Sequence, residues 1–214
     1  STKFSGKVAA TSVACQAHAT NTEGKIDDLS DSVVTDTTVS PNVPGVWTAV
    51  TPPVDVDYNG RTFHPLCSRG TPYQYFVKRG TGDDAHKLLM YYQGGGACWD
   101  AVTCAASTGA FDDDVFPSDN PANTTTGFGD LTNPDNPFRN WSAVFVSYCT
   151  GDVHWGDNDK LYLSGPPYGN QNIRHRGYQN AKVAEQWARE HFVEPTAVFV
   201  TGSDRQSDDQ RAPL

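Results

Sequence analysis

Two short stretches of this 214-residue chain carry residues whose types and spacing suit chemistry, and each follows an apolar run. The first is Gln93-Gly94-Gly95-Gly96-Ala97-Cys98-Trp99-Asp100, which leaves Leu88-Leu89-Met90-Tyr91-Tyr92. Without side chains in the way, consecutive backbone N–H groups of the three glycines can turn toward one point and stabilise a developing oxyanion. Triple glycine also spells an ordinary flexible turn. Its place at the carboxyl end of an apolar strand, where open α/β sheets bind ligands, favours the oxyanion reading. Trp99 and His154 are then the candidate binding residues around it.

The second stretch is Ala197-Val198-Phe199-Val200-Thr201-Gly202-Ser203-Asp204-Arg205-Gln206. A Gly-x-Ser-x-Gly nucleophile elbow exposes its serine on the tight turn after such a strand. Gly202 is present, but Asp204 stands at the serine position and Gln206 at the second glycine. Ser203, one residue earlier, is the remaining nucleophile candidate, and it requires a remodelled turn. None of the six histidines follows it. His154, within Gly151-Asp152-Val153-His154-Trp155-Gly156-Asp157, reads either as a cleft residue or as a structural histidine; His175 reads as a surface or capping residue. Asp112-Asp113-Asp114 reads as a solvated charge run in preference to a cation site. Cys98 and Cys104 lack zinc-ligand spacing and no histidine stands beside them, so no metal and no cofactor are expected.

The elements that must position these groups follow from hydrophobic pattern. Residues 88–92, 143–148 and 197–201 are continuous apolar runs, which suits strands in the middle of a sheet covered on both faces. Tyr73 to Lys78 alternates aromatic with polar residues, as an edge or hairpin strand does. A helix starts near Arg176 and ends by Pro195, with Ala184, Trp187, Ala188 and His191 as its apolar stripe and Lys182, Glu185, Gln186 and Arg189 toward water. Strand, helix, strand is a parallel crossover, so the architecture is α/β. The aperiodic, proline-rich segment from about 107 to 141 reads as a binding loop, lid or disordered insertion. Residues 1–45, rich in Ser and Thr and nearly free of aromatics, read as a flexible polar N-terminal segment, leaving 46–214 as the folded domain. Within it, the run Val8 to Cys15 reads as the end of a signal or lipoprotein sequence, or as ordinary polar leader.

Composition narrows the partners. Lys+Arg number 16 against Asp+Glu 25, a net charge of -9, which argues against nucleic acid. No run reaches the roughly 20 apolar residues of a membrane-spanning helix. Five cysteines with a single methionine suit disulfides in an oxidising compartment better than reduced cytosolic thiols.

Five blocks, Cys67 to Tyr73, Gln93 to Asp100 with Cys104, Asn136 to Trp141, Val144 to Cys149 and Val198 to Ser203, resemble in order those of the pectin acetylesterase family. The resemblance implies an α/β-hydrolase fold with a mostly parallel central sheet and flanking helices, of which this chain holds the N-terminal portion. It implies a secreted or periplasmic serine carboxylic-ester hydrolase acting on a small-molecule or glycan ester, with a Ser, Asp, His triad and no metal. By the same resemblance Gly95 and Gly96 form the oxyanion hole, Cys98 pairs with Cys104, Cys67 pairs with Cys149, and Cys15 is left over. Gln93 and Ala97 depart from the family's Glu and bulky aromatic, which implies a differently shaped acyl pocket. The family serine falls at Asp204, and the match stops within a few residues after Ser203, as in a truncated or out-of-register copy. The alternatives are a catalytically inactive glycan- or lipid-binding module and a non-functional fragment.

Overall fold

The computed structural model describes residues 43–203 and two short strands at 19–20 and 26–27. Most of the 1–45 segment, including Val8 to Cys15, lies outside the described residues, as do Asp204 and everything after it. The chain divides into two units, Ser1–Thr35 and Asp36–Leu214. In the first, β1 (Ala19–Thr20) pairs antiparallel with β2 (Ile26–Asp27).

The second unit is built on β3 (Trp47–Val50), the hairpin β4 (Val56–Tyr58) and β5 (Arg61–Phe63), β6 (Tyr75–Lys78), β7 (Lys87–Tyr92), β8 (Ser142–Val146), the hairpin β9 (Asn158–Tyr162) and β10 (Gln171–His175), α1 (Gly177–His191) and β11 (Ala197–Gly202). Five strands form one mixed sheet in the order β11-β7-β8-β6-β3. β7 lies parallel to both β8 and β11, whereas β6 is antiparallel to β8 and to β3. The helix between β8 and β11 thus carries the chain across β7, as the crossover pattern requires.

Tyr75 to Lys78 is interior and not an edge: it lies between β8 and β3 with all four residues buried. Lys78 is tolerated there because its ammonium donates to the carbonyls of Arg139 at 2.7 Å and Phe138 at 3.3 Å, and faces the Trp47 ring. The run 197–201 differs from expectation in the opposite sense. Val198, Phe199 and Val200 are 53%, 46% and 62% exposed, because among the described residues β11 pairs with β7 alone.

One face of the sheet packs Val77, Leu88, Met90, Val144 and Val146 against Ala181, Ala184 and Ala188 of α1. Trp187 and His191, expected in the apolar stripe, are half-buried and stacked on each other at 3.9 Å. Glu185, expected toward water, is half-buried because it accepts a hydrogen bond from the Tyr92 hydroxyl at 2.8 Å and pairs with Lys182. Buried Gln179 and Asn180 receive the His64 N–H and donate to the Leu66 carbonyl, tying the helix to the preceding loops.

The opposite face carries no α-helix among the described residues. Trp47, Phe76, Leu89 and Phe145 are covered by Phe128, Leu131, Phe138 and Trp141. The long 107–141 segment is therefore a wall of the core: short 3-10 turns and aromatic side chains replace a helix, with Phe128 stacked on Tyr91 at 3.9 Å.

Two disulfides are present. Cys67–Cys149 spans 82 positions and joins the segment before β6 to the end of β8; Cys98–Cys104 closes a short loop after the glycines. Among the described residues no helix is long and apolar enough to cross a membrane.

Replacing Cys67 and Cys149 together by alanine should cost about 4 to 5 kcal/mol, as expected for releasing a loop of this length in the unfolded chain, and chemical denaturation checks it. Burial holds the Lys78 ammonium down to about pH 8, against an ordinary lysine value of 10.5. Between those values the unfolded chain binds more protons than the folded one, so stability rises with pH across the window. Melting temperatures measured against a Lys78→Met control should show the wild type gaining on the control from pH 7 to pH 10.

Candidate functional site

The parallel strands bring three loops to one end of the sheet. Beyond the strand ends, Gln93 N–H donates to the Val146 carbonyl at 3.0 Å and Ser203 N–H donates to the Tyr92 carbonyl at 3.1 Å. The loop after β8 then returns to the glycine loop: Cys98 N–H donates to Gly151 O at 2.9 Å, and Ala97 bridges Asp152. Sequence residues from 93–99, 148–155 and 203 thus share one surface.

The glycine loop needs its glycines for packing as well as for access. A Cβ on Gly95 would lie 2.2 Å from the Tyr148 ring and 2.8 Å from an Asp112 carboxylate oxygen. Gly96 has φ +79°, the left-handed region that a side chain disfavours. Its carbonyl accepts the Tyr148 hydroxyl at 2.6 Å, while the Gly95 carbonyl accepts Asp112 N–H at 2.7 Å. Burial pushes the Tyr148 phenol up, so it stays a protonated donor.

Ser203, at the end of β11, places its hydroxyl 3.2 Å from the Gly94 N–H, which donates to it. Ser203 is exposed, and Asp204, where the resemblance leads one to expect the family serine, lies outside the described residues. His154 approaches from the other side: its Nε2 lies 2.9 Å from the Gln93 carbonyl, and its ring meets the edges or faces of Tyr92 and Tyr148. A carbonyl can only accept, so Nε2 carries the proton. Nδ1 is buried without a partner. Burial lowers the His154 pKa, opposed by the Gln93 carbonyl and by Asp152. Ser203 and His154 therefore touch the same Gln93–Gly94 peptide, but no hydrogen bond joins one side chain to the other among the described residues.

Asp152, which sequence reasoning passed over although it lies in the stretch around His154, organises that loop. Its carboxylate accepts from the Thr150 hydroxyl at 2.7 Å, His154 N–H at 3.1 Å and Gly177 N–H at the start of α1 at 2.8 Å. Acidic side chains at a helix N-terminus satisfy orphan amides and the helix dipole together. Tyr148 was likewise missed, because an aromatic at a strand end reads as core. Gln93, noted only as a departure, bonds Asp119 at 2.9 Å and receives Tyr148 N–H at 3.0 Å.

Two expectations are corrected. Asp113 and Asp114 are half-buried and engaged by Arg69, Thr71 and Val115 N–H, so Asp112 to Asp114 is not a freely solvated run. His175 is buried, with Nδ1 against the Thr150 carbonyl at 2.9 Å and Nε2 against the Tyr162 hydroxyl at 3.0 Å, because it closes β10 over the site loop. It lies near the sulfurs of Cys98 and Cys104, but those sulfurs are bonded to each other and offer no thiolate to a metal. Trp99 and Trp155 are the exposed indoles of this end, at 68% and 81%. Trp155 borders a cavity of about 350 Å³ with Tyr92, His154, Tyr178 and Lys182.

A glycine loop pinned at the carboxyl end of parallel strands, with a crossover helix behind it, defines an α/β-hydrolase-like domain. The pectinacetylesterase family model matches residues 59–204, and the chain belongs to that family. It is 33% identical over 102 residues to "Inactive palmitoleoyl-protein carboxylesterase notum1b" of Danio rerio, covering 46% of this chain and 71% of that protein. It is 30% identical over 88 residues to "Pectin acetylesterase 4" of Arabidopsis thaliana, covering 40% and 21%. It is 31% identical over 98 residues to "Palmitoleoyl-protein carboxylesterase NOTUM" of Homo sapiens, covering 44% and 19%. The matched stretch therefore spans about a fifth of the last two. Among solved structures, that of the Wnt deacylase Notum from Drosophila is similar at a TM-score of 0.41 and 16% identity, covering 64% of this chain and 39% of that one.

Gly95→Ala should destabilise the chain by about 1 to 3 kcal/mol, since its Cβ has no room beside Tyr148. Thermal melting with near-ultraviolet circular dichroism, which reads the packing of Tyr148, checks both the loss and its place.

Proposed function

We propose that this chain supplies the oxyanion-binding half of a serine carboxylic-ester hydrolase that removes acyl groups, acetyl among them, from a small-molecule or glycan ester. The observation that carries the reading is the bond from the Gly94 amide to the Ser203 hydroxyl at 3.2 Å, which puts a nucleophile-type group beside the glycine loop. In this reading an ester carbonyl binds over the loop, a hydroxyl attacks it, and the negative charge that develops on oxygen is held by the N–H groups of Gly95 and Gly96. The alcohol leaves with a proton returned to it, and water then hydrolyses the acyl-enzyme. Ser203 is the hydroxyl the described residues offer, and the proton acceptor it requires is not bonded to it among them. Trp99 lies at the mouth of the loop, where an exposed indole can hold the alcohol part of the ester. His154 lines the adjoining cavity. The two disulfides support a secreted or periplasmic setting.

A second reading is a binding module that keeps the cleft without the chemistry. It is favoured by Asp204 at the position that the resemblance gives to the family serine. A related zebrafish protein bears the word "inactive" in its name.

Hydrolysis of p-nitrophenyl acetate and labelling by a fluorophosphonate decide between the two. The esterase reading expects turnover and stoichiometric label on Ser203, both lost in Ser203→Ala. No label and no turnover, with saturable binding of an acylated sugar or lipid, would overturn it in favour of the module.

A further inference from the structure

Backbone geometry turns the bonds behind the glycine loop into a statement about the amides in front of it. In a trans peptide the C=O and the N–H of the next residue point to opposite sides. Any donor that fixes a carbonyl therefore fixes the direction of the following N–H. The Gln93 carbonyl is held by His154 Nε2, and the N–H of the same peptide, on Gly94, points to Ser203 Oγ. The Gly95 carbonyl is held by Asp112 N–H, which sets the Gly96 N–H. The Gly96 carbonyl is held by the Tyr148 hydroxyl, which sets the Ala97 N–H.

We propose that His154 and Tyr148 are positioning residues that orient the peptide planes of the glycine loop, His154 acting as an N–H donor through Nε2 in place of a proton-transferring base. The proposal rests on the oxyanion role given to the loop above and adds to it the two side chains that fix the peptides on either side of the Gly95 and Gly96 amides.

Three features support the assignment. His154 spends its protonated nitrogen on a backbone carbonyl, and its other nitrogen is buried with no partner, so the ring has no free route to a substrate proton. Its own backbone is tied down twice over: its N–H donates to Asp152 and it stands at φ +63°, which the Asp152 bonds to Thr150 and Gly177 hold in place. Tyr148 is coupled to the same loop at both ends, since its N–H donates to the Gln93 side chain and its hydroxyl accepts Val153 N–H while donating to Gly96. Glycine peptides rotate freely unless held, so the loop is where such supports matter.

The test compares wild type with His154→Phe, His154→Gln and Tyr148→Phe. Phenylalanine keeps the ring packing and loses the donor; glutamine returns an N–H near the position of Nε2. Two readouts are taken on folded samples of equal melting temperature: hydrogen exchange of the Gly94 and Ala97 amides by NMR, and kcat with KM for p-nitrophenyl acetate. His154→Phe should speed Gly94 exchange at least tenfold and lower kcat by about 10- to 100-fold with KM within twofold, less than the roughly 10²- to 10³-fold lost when an oxyanion donor is removed outright, because the flanking peptide is loosened and no donor is deleted. His154→Gln should recover most of both. Tyr148→Phe should do the same at Ala97. Unchanged exchange in both phenylalanine variants, or equal loss in His154→Phe and His154→Gln, would overturn the proposal. If wild type hydrolyses no ester, the functional reading fails by itself, and the exchange data still decide whether these side chains orient the loop.

Discussion

The constraint on which the site depends is the parallel alignment of β8, β7 and β11. Parallel neighbours end at the same side, so the loops after all three must meet there. Two hydrogen bonds carry the ladder one residue past its ends, Gln93 to Val146 and Ser203 to Tyr92, and they bring residues 93, 147 and 203 into one plane before any side chain contributes. The Cys67–Cys149 bond then anchors the loop after β8 to the segment that leads into β6. With those loops fixed, small side chains in the glycine loop suffice to make a cleft.

What surrounds the sheet is unequal on its two faces. On one face α1 packs three alanines closely against the strands, which allows its N-terminus to reach Asp152 and brace the loop holding His154. On the other face an aromatic segment substitutes for a helix, and Phe138 extends over Phe199 of the last strand at 5.2 Å. Segment 107–141 therefore has two duties, since its beginning also supplies the Asp112 N–H that holds Gly95. A change in how it packs on the sheet reaches the glycine loop through that bond and through the one between Gln93 and Asp119.

Much of this was legible from sequence. The apolar runs at 88–92 and 143–148 became the two central parallel strands, and the helix near 176–195 was found within a few residues of its ends. Strand order was partly hidden because alternation and burial are local cues: Tyr75 to Lys78 alternates like an edge, yet Lys78 is buried through carbonyls 60 positions away that no local pattern reveals. Val198 to Val200 read as central for the converse reason, since apolarity records what a strand can bury and not which neighbours the described residues give it. At the candidate site, the glycine run at 94–96 is visible in the sequence, and the structure places it at the end of β7. Tyr148, Asp152 and Asp112 are not visible in that way, because their contribution is a bond to a backbone group distant in sequence.

In the proposed oxyanion role, the loop works through amides because its surroundings are acidic. The chain carries a net charge of -9, and Asp112, Asp113, Asp114, Asp119 and Asp152 lie within the segments that frame the glycines. An oxyanion formed among free carboxylates would be repelled, and the strength of that repulsion grows in a desolvated cleft. Asp114 is occupied by Thr71 and Val115 N–H, Asp119 by Gln93 and Phe116 N–H, and Asp152 by three donors around Gly177. Burial raises the Asp119 pKa, with Asp114 adding to the shift, so a carboxylate close to Gln93 is also the one whose charge is least favoured. A glutamate at position 93 would meet Asp119 as a second acid, whereas the Gln93 amide donates to Asp119 and accepts from Tyr148 at once. Gln93 is thus matched to its surroundings: the neutral side chain bridges an acid and the segment that carries Tyr148, and adds no negative charge beside the loop.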